Sequence, residues 1–553
     1  MSCKNNMSFE ECELAILRGA VDNIGKKLGT NKLNNPEIKR IIGIVENFLR
    51  IHKQICYGGT AINNILPLED QFYDKSFELP DYDFFSKTPL KDAKKLADLY
   101  YKEGFTEVEA KVGMHPGTFK VFVNFIPVAD ITYLAPPIFK KISKHAIRVA
   151  GIKYSPANFL RMLMYLELSR PNGDVGRWEK VLKRLTLLNK HYPLRGKSCQ
   201  EEDIQRLFQY GSKEFIEQNK RTFKKSSKKG NRNKQNNQKK RKTQKKKQKG
   251  GERKHEKYNE ENEFLNNLQD RLFVIVRNTL IAQGCVFFGA MANRMYLQDL
   301  KEFKGKTIPK VPDFDVLSTD PETTTRILKE RLQDAGIKNI KIKKHKGIEE
   351  TLPTHYEVSI GPESFAFIYE PLACHSYNTV EVDNRKIRIA TLDTMLSLYL
   401  AFIYTNRPYY QVNRILCMSQ YLFKVQQKNR LKQKGLLKRF SIDCYGEQTT
   451  LEKMRAEKIE KYKELKDKKG SREYEWFFLR YIPAQNKLDN KNNKHIKKLK
   501  RQRNKLFKNI PFSKKTFKKN KKWKDNGKKW KNKRKKKTRR KRKRRKIRSL
   551  WGF

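Results

Sequence analysis

A chain of 553 residues with 37% hydrophobic and 11% aromatic side chains is long enough for several domains and has enough apolar mass for real cores, which excludes a wholly disordered polymer. Its net charge of +64 is uneven: residues 491–548 hold +32 and residues 224–249 hold +14, leaving +18 for everything else. The eight cysteines form neither a CxxC pair nor a His/Cys cluster, so no zinc site, no disulfide framework and a reducing compartment are expected.

From the N-terminus, MSCKNNMSFEECELA offers no signal-peptide core, and residues 8–53 predict two helices with apolar positions around Leu14 and again at Ile41, Ile44, Val45 and Leu49. From 55 to about 135 the pattern turns to strands: PDYDFFS alternates, and VFVNFIPVADITYL is β-branched and aromatic, with an irregularity expected at Pro127. Helical periodicity returns over 156–192. Residues 224–249 contain no apolar side chain and read as a flexible basic linker. A second folded block follows from about Tyr258 to Ile482. Its candidate membrane stretch, LFVIVRNTLIAQGCVFFGAM, is broken by Arg277, Asn278 and Gln283, so no membrane span is expected.

The two blocks repeat one another. YGGTAINN at 57 is echoed by FGAMANRM at 288, PDYDFFS at 80 by PDFDVLS at 312, and the helix ending Arg170-Pro171 by the one ending Arg407-Pro408. Three collinear matches at nearly constant spacing indicate an internal duplication, too long in period for a solenoid. The expected organisation is α/β (α+β): helices at 1–54, a nucleotide-handling domain at 55–150, a helical subdomain at 151–222, a linker at 223–257, a degenerate copy at 258–390, its helical subdomain at 391–485 and a basic tail at 486–553.

On a strand, Asp81 and Asp83 project to one side while Tyr82 and Phe84 turn to the core. Two carboxylates so close repel unless a cation neutralises them, and Asp130 in PVADITY is the candidate third ligand for a divalent metal. Gly58 and Gly59 precede a helix, where bare N–H groups favour a triphosphate.

Gly-Gly, then Asp-x-Asp, then a later strand Asp resembles the polymerase-β-like nucleotidyltransferases. The wording YGGTAINN and DYDFFS, with the duplicated lobe, is similar to the poly(A) polymerases of large DNA viruses, the mimivirus-like group especially, over roughly residues 40–485. A departure is the longer gap from Gly59 to Asp81, filled by LPLEDQFYDKSFELP. The resemblance implies AMP transfer from ATP to RNA 3′ ends with two Mg²⁺ or Mn²⁺ ions. Asp81 and Asp83 would bind both ions and Asp130 the one beside the RNA hydroxyl. Gly58, Gly59 and Thr60 would contact phosphates, and Lys153 the phosphates or base. It further implies RNA 3′ ends and poly(A) as partners, a homodimer, and residence in host cytoplasm or virion.

In the second block Gly59 becomes Ala290 and the third aspartate is replaced, with Glu370 its expected equivalent when His115 is aligned with His355; a non-catalytic copy is expected, although Asp313 and Asp315 persist. The tail interleaves Phe507, Phe512, Phe517, Trp523, Trp530 and Trp551 with its lysines, a composition suited to single-stranded RNA or, alternatively, to nuclear targeting. Glu202-Asp203-Ile204-Gln205-Arg206 also spells the EDxxR of some CCA-adding nucleotidyltransferases, which leaves that activity as a rival. A non-enzymatic RNA-binding scaffold is the other alternative, disfavoured because clustered carboxylates are costly to keep without a metal.

Overall fold

Two mixed eight-stranded sheets organise this computed structural model, which describes residues 7–73, 80–206, 208 and 269–485 apart from positions 299, 305, 307–310, 350, 383 and 430. The predicted basic linker and tail lie outside the described residues. Helix α1 (Phe9–Asn34) leads into α2 (Pro36–His52), whose start is set by the Asn35 side chain accepting from Glu37 N–H at 2.8 Å and by Pro36 in the first turn. Ile38, Ile41, Val45, Phe48 and Leu49 form one buried face of α2, as their spacing dictates.

The first sheet takes β1 (Ile55–Cys56), β2 (Tyr82–Ser86), β3 (Val108–Val112), β4 (Thr118–Val123), β5 (Ile126–Tyr133), β6 (Ile147–Val149) and β7 (Ile152–Tyr154) in the order 3-4-5-2-1-7-6. The second takes β8 (Val286–Phe287), β9 (Phe314–Leu317), β10 (Ile340–His345), β11 (His355–Ile360), β12 (Glu363–Tyr369), β13 (His375–Val382) and β14 (Arg385–Ala390) in the order 10-11-12-9-8-14-13. Adding seven to each strand of the first gives the second, and corresponding pairs are parallel or antiparallel alike. The duplication is therefore a duplication of topology.

Local chemistry sets the strands. The β4–β5 hairpin turns at Asn124 and Phe125, both at positive φ (48° and 64°), the primed geometry that matches strand twist. Pairing slips between Val121 and Phe122, opposite Pro127, whose missing N–H cannot serve the ladder. In β2, Tyr82 and Phe84 are buried as the alternation requires. Phe85 and Ser86 are buried too, because helices cover the other face.

The lobes share a core. Helix α6 (Ala157–Leu168) packs on its counterpart α10 (Leu392–Phe402), every residue of which is buried, and Phe159 meets Tyr404 edge to face at 5.1 Å. Buried Asp393 at the start of α10 accepts from Arg439 Nε at 3.0 Å and Nη2 at 2.6 Å. Two short strands extend the sheets: β15 (Cys444–Tyr445) joins β13, and β16 (Arg480–Tyr481) returns the chain to β3 of the first lobe. No helix among the described residues is long and apolar enough to cross a membrane.

The absence of disulfides expected from cysteine spacing is overturned. Cys199–Cys417 and Cys374–Cys444 are bridged, with Cα separations of 5.3 and 5.1 Å, and the reading of a reducing compartment loses its basis. Partners 218 and 70 residues apart meet only through the fold, so no local motif announces them. Peptide mapping of the unreduced chain is expected to recover both cross-linked pairs, and reduction to lower the melting midpoint, each bridge being worth about 2–4 kcal/mol. Recovery of Cys199, Cys374, Cys417 and Cys444 as free thiols from the native chain would refute the bridges.

Candidate active site

Strands β2 and β5 run parallel with Asp83 directly opposite Asp130, about 4.8 Å apart along the hydrogen-bonding direction. Asp81 stands one residue ahead of β2. Helix α3 (Gly58–Ile65) is tied to this acidic strand end twice: Tyr57 N–H donates to the Asp83 carbonyl at 2.9 Å, and the Thr60 hydroxyl donates to the Asp81 carbonyl at 2.7 Å. Gly58 sits at φ +75°, and a Cβ there would collide with the Asp83 carboxylate, so both backbone and space demand glycine. At Gly59 a Cβ would strike the Tyr73 hydroxyl and lie 2.9 Å from Arg184 Nη2. Thr60 is buried, its hydroxyl occupied in holding the Asp81 backbone.

The carboxylates strain against one another. Burial, then the charges of Asp81 and Asp130, push Asp83 up to about 7, with Lys120 and Arg177 opposing. Asp81 is raised by desolvation and by Asp130, with Lys120 and Lys180 opposing. Asp130 accepts an ion pair from Lys120, its antiparallel neighbour on β4. The oxygens of the three aspartates do not come together as one set within 4.8 Å. Among the described residues that spacing is met by Cys199, Asp203 and Cys417, whose two sulfurs are bridged to each other. Convergence here is one of backbone register, with the Asp130 carboxylate turned to Lys120. Three hard oxygen donors at and beside adjacent strands, one of them raised to about 7 by burial and its acidic neighbours, are chemically suited to a divalent cation.

A cationic helix faces this acidic edge, and the sequence reading missed it. Arg177 just precedes α7 (Trp178–His191), which supplies Lys180 and Arg184, at helical spacing of three and seven. Arg184 is buried, donates to the Tyr73 hydroxyl at 2.6 Å and lies against Gly59. The segment after α3 is docked on the same helix, Asp70 pairing with Lys190 and His191. The three basic residues at i, i+3 and i+7 were the available signal. Lys153 is placed on β7, two strands from β2, where its ammonium donates to Ser143 at 2.9 Å. By register its counterpart in the other lobe is Arg388, which donates to the Gly284 carbonyl.

The second lobe keeps the scaffold and reverses the chemistry. Asp315 lies opposite Phe367, where the first lobe has Asp83 opposite Asp130. The expected Glu370 is corrected accordingly: it lies beyond β12, exposed, and aligning the two histidines slips the match by three residues. Into the space between Asp313 and Asp315 comes Arg206. Its backbone N–H donates to Asp313 at 2.6 Å, its guanidinium pairs with Asp313 and with Asp315 (3.1 Å), and it lies 4.4 Å over the Phe367 ring. Burial opposes the arginine's charge, but the two carboxylates outweigh it. About 10 Å³ of free space remains, the least that a single water needs. The EDxxR arginine is thus spent inside the other lobe.

Residues 43–174 match the family model of the poly(A) polymerase catalytic subunit. The first lobe resembles viral poly(A) polymerases. A putative poly(A) polymerase catalytic subunit of Acanthamoeba polyphaga mimivirus is 34% identical over 163 residues, and one from African swine fever virus (strain Badajoz 1971 Vero-adapted) is 33% identical over 167. Those stretches cover 29% of this chain in each case, and 27% and 35% of the respective relatives. The crystal structure of the Megavirus polyadenylate synthase matches with a TM-score of 0.63 at 18% identity, covering 88% of each chain, so the likeness of fold extends over both lobes.

Two outcomes are expected. Asp83 titrates near 7 in the fold against an ordinary 3.8, so the folded state holds an extra proton between those values and stability falls as pH rises through that window. Asp83→Asn should flatten that slope and raise the metal-free melting midpoint at about pH 8; a lower midpoint there would refute the strain. Arg206→Ala leaves two buried carboxylates uncompensated and should cost about 3–5 kcal/mol in denaturant melts. Most of that loss should return in the triple variant Arg206→Met, Asp313→Asn, Asp315→Asn.

Proposed function

We propose that the first lobe transfers AMP from ATP to the 3′ end of RNA without a template, releasing pyrophosphate. The observation that carries this reading is Asp83 in register with Asp130, behind Gly58-Gly59 and before a helix bearing Lys180 and Arg184. The RNA 3′ oxygen forms a bond to the α-phosphorus, the α–β bridge breaks, and the hydroxyl proton is lost as pyrophosphate leaves. Asp81, Asp83 and Asp130 would hold two divalent ions, Mg²⁺ or Mn²⁺, which supply nucleophile activation and charge neutralisation. This chain's own residues do the rest. Gly58 lets the helix start lie against Asp83; Thr60 fixes the strand end; Lys180 and Arg184 offer positive charge to the phosphates. Lys120 holds Asp130 and must release it for Asp130 to join a metal.

Lys153, two strands away and bonded to Ser143, fits a positioning role for the β7 edge better than phosphate contact. RNA and ATP as substrates, poly(A) as product, retention of RNA by the basic tail and assembly as a homodimer belong to the same proposal. Base reading through EDxxR, the feature that favoured a CCA-adding enzyme, is disfavoured because Arg206 is bound to Asp313 and Asp315.

Incubating the chain and an oligonucleotide RNA with each nucleoside triphosphate alone should give long extension with ATP only. Asp83→Ala should lower the rate about a thousandfold, about 4 kcal/mol. Asp315→Asn, assayed where it stays folded, should stay within about twofold. The reverse ranking of these two variants would overturn the assignment of lobes.

A further inference from the structure

A second basic and aromatic place lies apart from the carboxylates. A cavity of about 650 Å³ opens where the C-terminal ends of β2 and β5 meet α13 (Arg472–Phe478), the helix that precedes the returning strand β16. Its volume lies within the range of small-molecule sites, about 300–1,000 Å³. Lys87, Lys91 and Lys94 line it from the start of α4 (Pro89–Lys102), Arg472 and Trp476 from α13, and Tyr133 from the end of β5. Glu349 from the second lobe is the one acid among its lining residues.

The parts differ in what they can offer a ligand. Lys94 is spent on Glu475 at 2.6 Å, whereas Lys87, Lys91 and Arg472 are exposed at the rim. Trp476 is clamped edge-on by Phe119 at 5.6 Å and by Tyr133 at 5.7 Å, and Gly117 closes on its ring, where an added Cβ would lie 3.2 Å away. An indole so held loses little entropy when a flat ligand stacks beside it. Fixed aromatic surface ringed by exposed cations is the chemistry that takes a base and its phosphate without regard to sequence. A metal–triphosphate is a poor fit, because a single carboxylate is at hand.

Position separates this place from the reacting end. Asp130 and Lys120 point to one face of the sheet; Phe119, one residue back from Lys120, and Tyr133, three on from Asp130, belong to the other. Along β2 the cavity begins four residues past Asp83, about 13 Å. We propose that this cavity binds one nucleotide of single-stranded RNA upstream of the 3′ end, its base against Trp476 and Tyr133 and its phosphate at Lys87, Lys91 and Arg472. The proposal rests on the polymerase reading for its purpose, though not for its chemistry.

The test uses the full chain and a photoreactive thiouridine-substituted single-stranded RNA at about 200 mM salt, with adducts mapped by mass spectrometry. The Trp476 peptide should carry an adduct. Lys91→Glu/Arg472→Glu should reduce that adduct at least about fivefold and weaken RNA binding about tenfold, with the KM for ATP unchanged. Lys95→Glu, on the same helix but outside the cavity, should leave the adduct intact. Adducts confined to other peptides, an unaffected double variant, or displacement by a polyglutamate peptide but not by unlabelled RNA would each overturn it. If no nucleotide is ever incorporated yet the adduct and its loss persist, the reaction reading falls while the cavity assignment stands.

Discussion

Two carboxylates held side by side on parallel strands are the constraint around which the first lobe is built. Burial, then the charges of Asp81 and Asp130, raise the proton affinity of Asp83, and burial with Asp130 raises that of Asp81. Everything near them moderates that conflict. Lys120 reaches across from the next strand, and Arg177, just ahead of α7, and Lys180 on it oppose the charge. Gly58 yields the space that Asp83 needs. Such an arrangement stores repulsion that a divalent cation would relieve, which is how an ion can be bound tightly by a site that no single residue makes favourable.

The second lobe is an internal control on that logic. Strand order and pairing are the same, and Asp313-Phe314-Asp315 repeats the acidic strand. The compensating charge there is covalent: Arg206, from a segment 109 residues earlier than Asp315, enters between the carboxylates and is sealed by Phe367 where the third acid would stand. A guanidinium cannot be lost or exchanged at neutral pH. The lobe therefore gains a fixed ion pair and gives up an exchangeable one. A buried pair of this kind is weak as a stabiliser but severe when broken, so it holds the segment carrying Arg206 against the lobe.

Much of this was legible in the amino-acid order. Period-two alternation placed Tyr82 and Phe84 in the core, Pro127 marked the slip in β5, and the echo of YGGTAINN in FGAMANRM announced a topology repeated strand for strand. What could not be read is what depends on distant contacts. Phe367 is opposite Asp315 through the pairing of β9 with β12, and a histidine match displaced it by three residues to Glu370. Arg206 looked like a base reader because EDxxR is a local pattern, while its partners are fixed only by tertiary folding. The disulfides escaped for the same reason. The α7 cations were visible in principle, since Arg177, Lys180 and Arg184 share a face, but in a chain so rich in lysine and arginine only their neighbours distinguish them.

The degenerate lobe also explains why the chain cannot simply discard it. Helix α10 is buried along its whole length against α6, the helix that follows the first sheet, and Ser376 N–H donates to the Ser169 carbonyl at its end. Removing the lobe would strip the apolar face of α6, including Phe159 beside Tyr404, and with it the support for Phe85, which meets Phe159 edge to face at 5.7 Å. Phe85 lies two residues from Asp83 on β2. The geometry of the acidic strand is thus buttressed through one aromatic chain that ends in the other lobe, so the second lobe acts on the first as a packing surface. The second lobe differs from the first at Phe367, opposite Asp315, but keeps the apolar face it presents to α6.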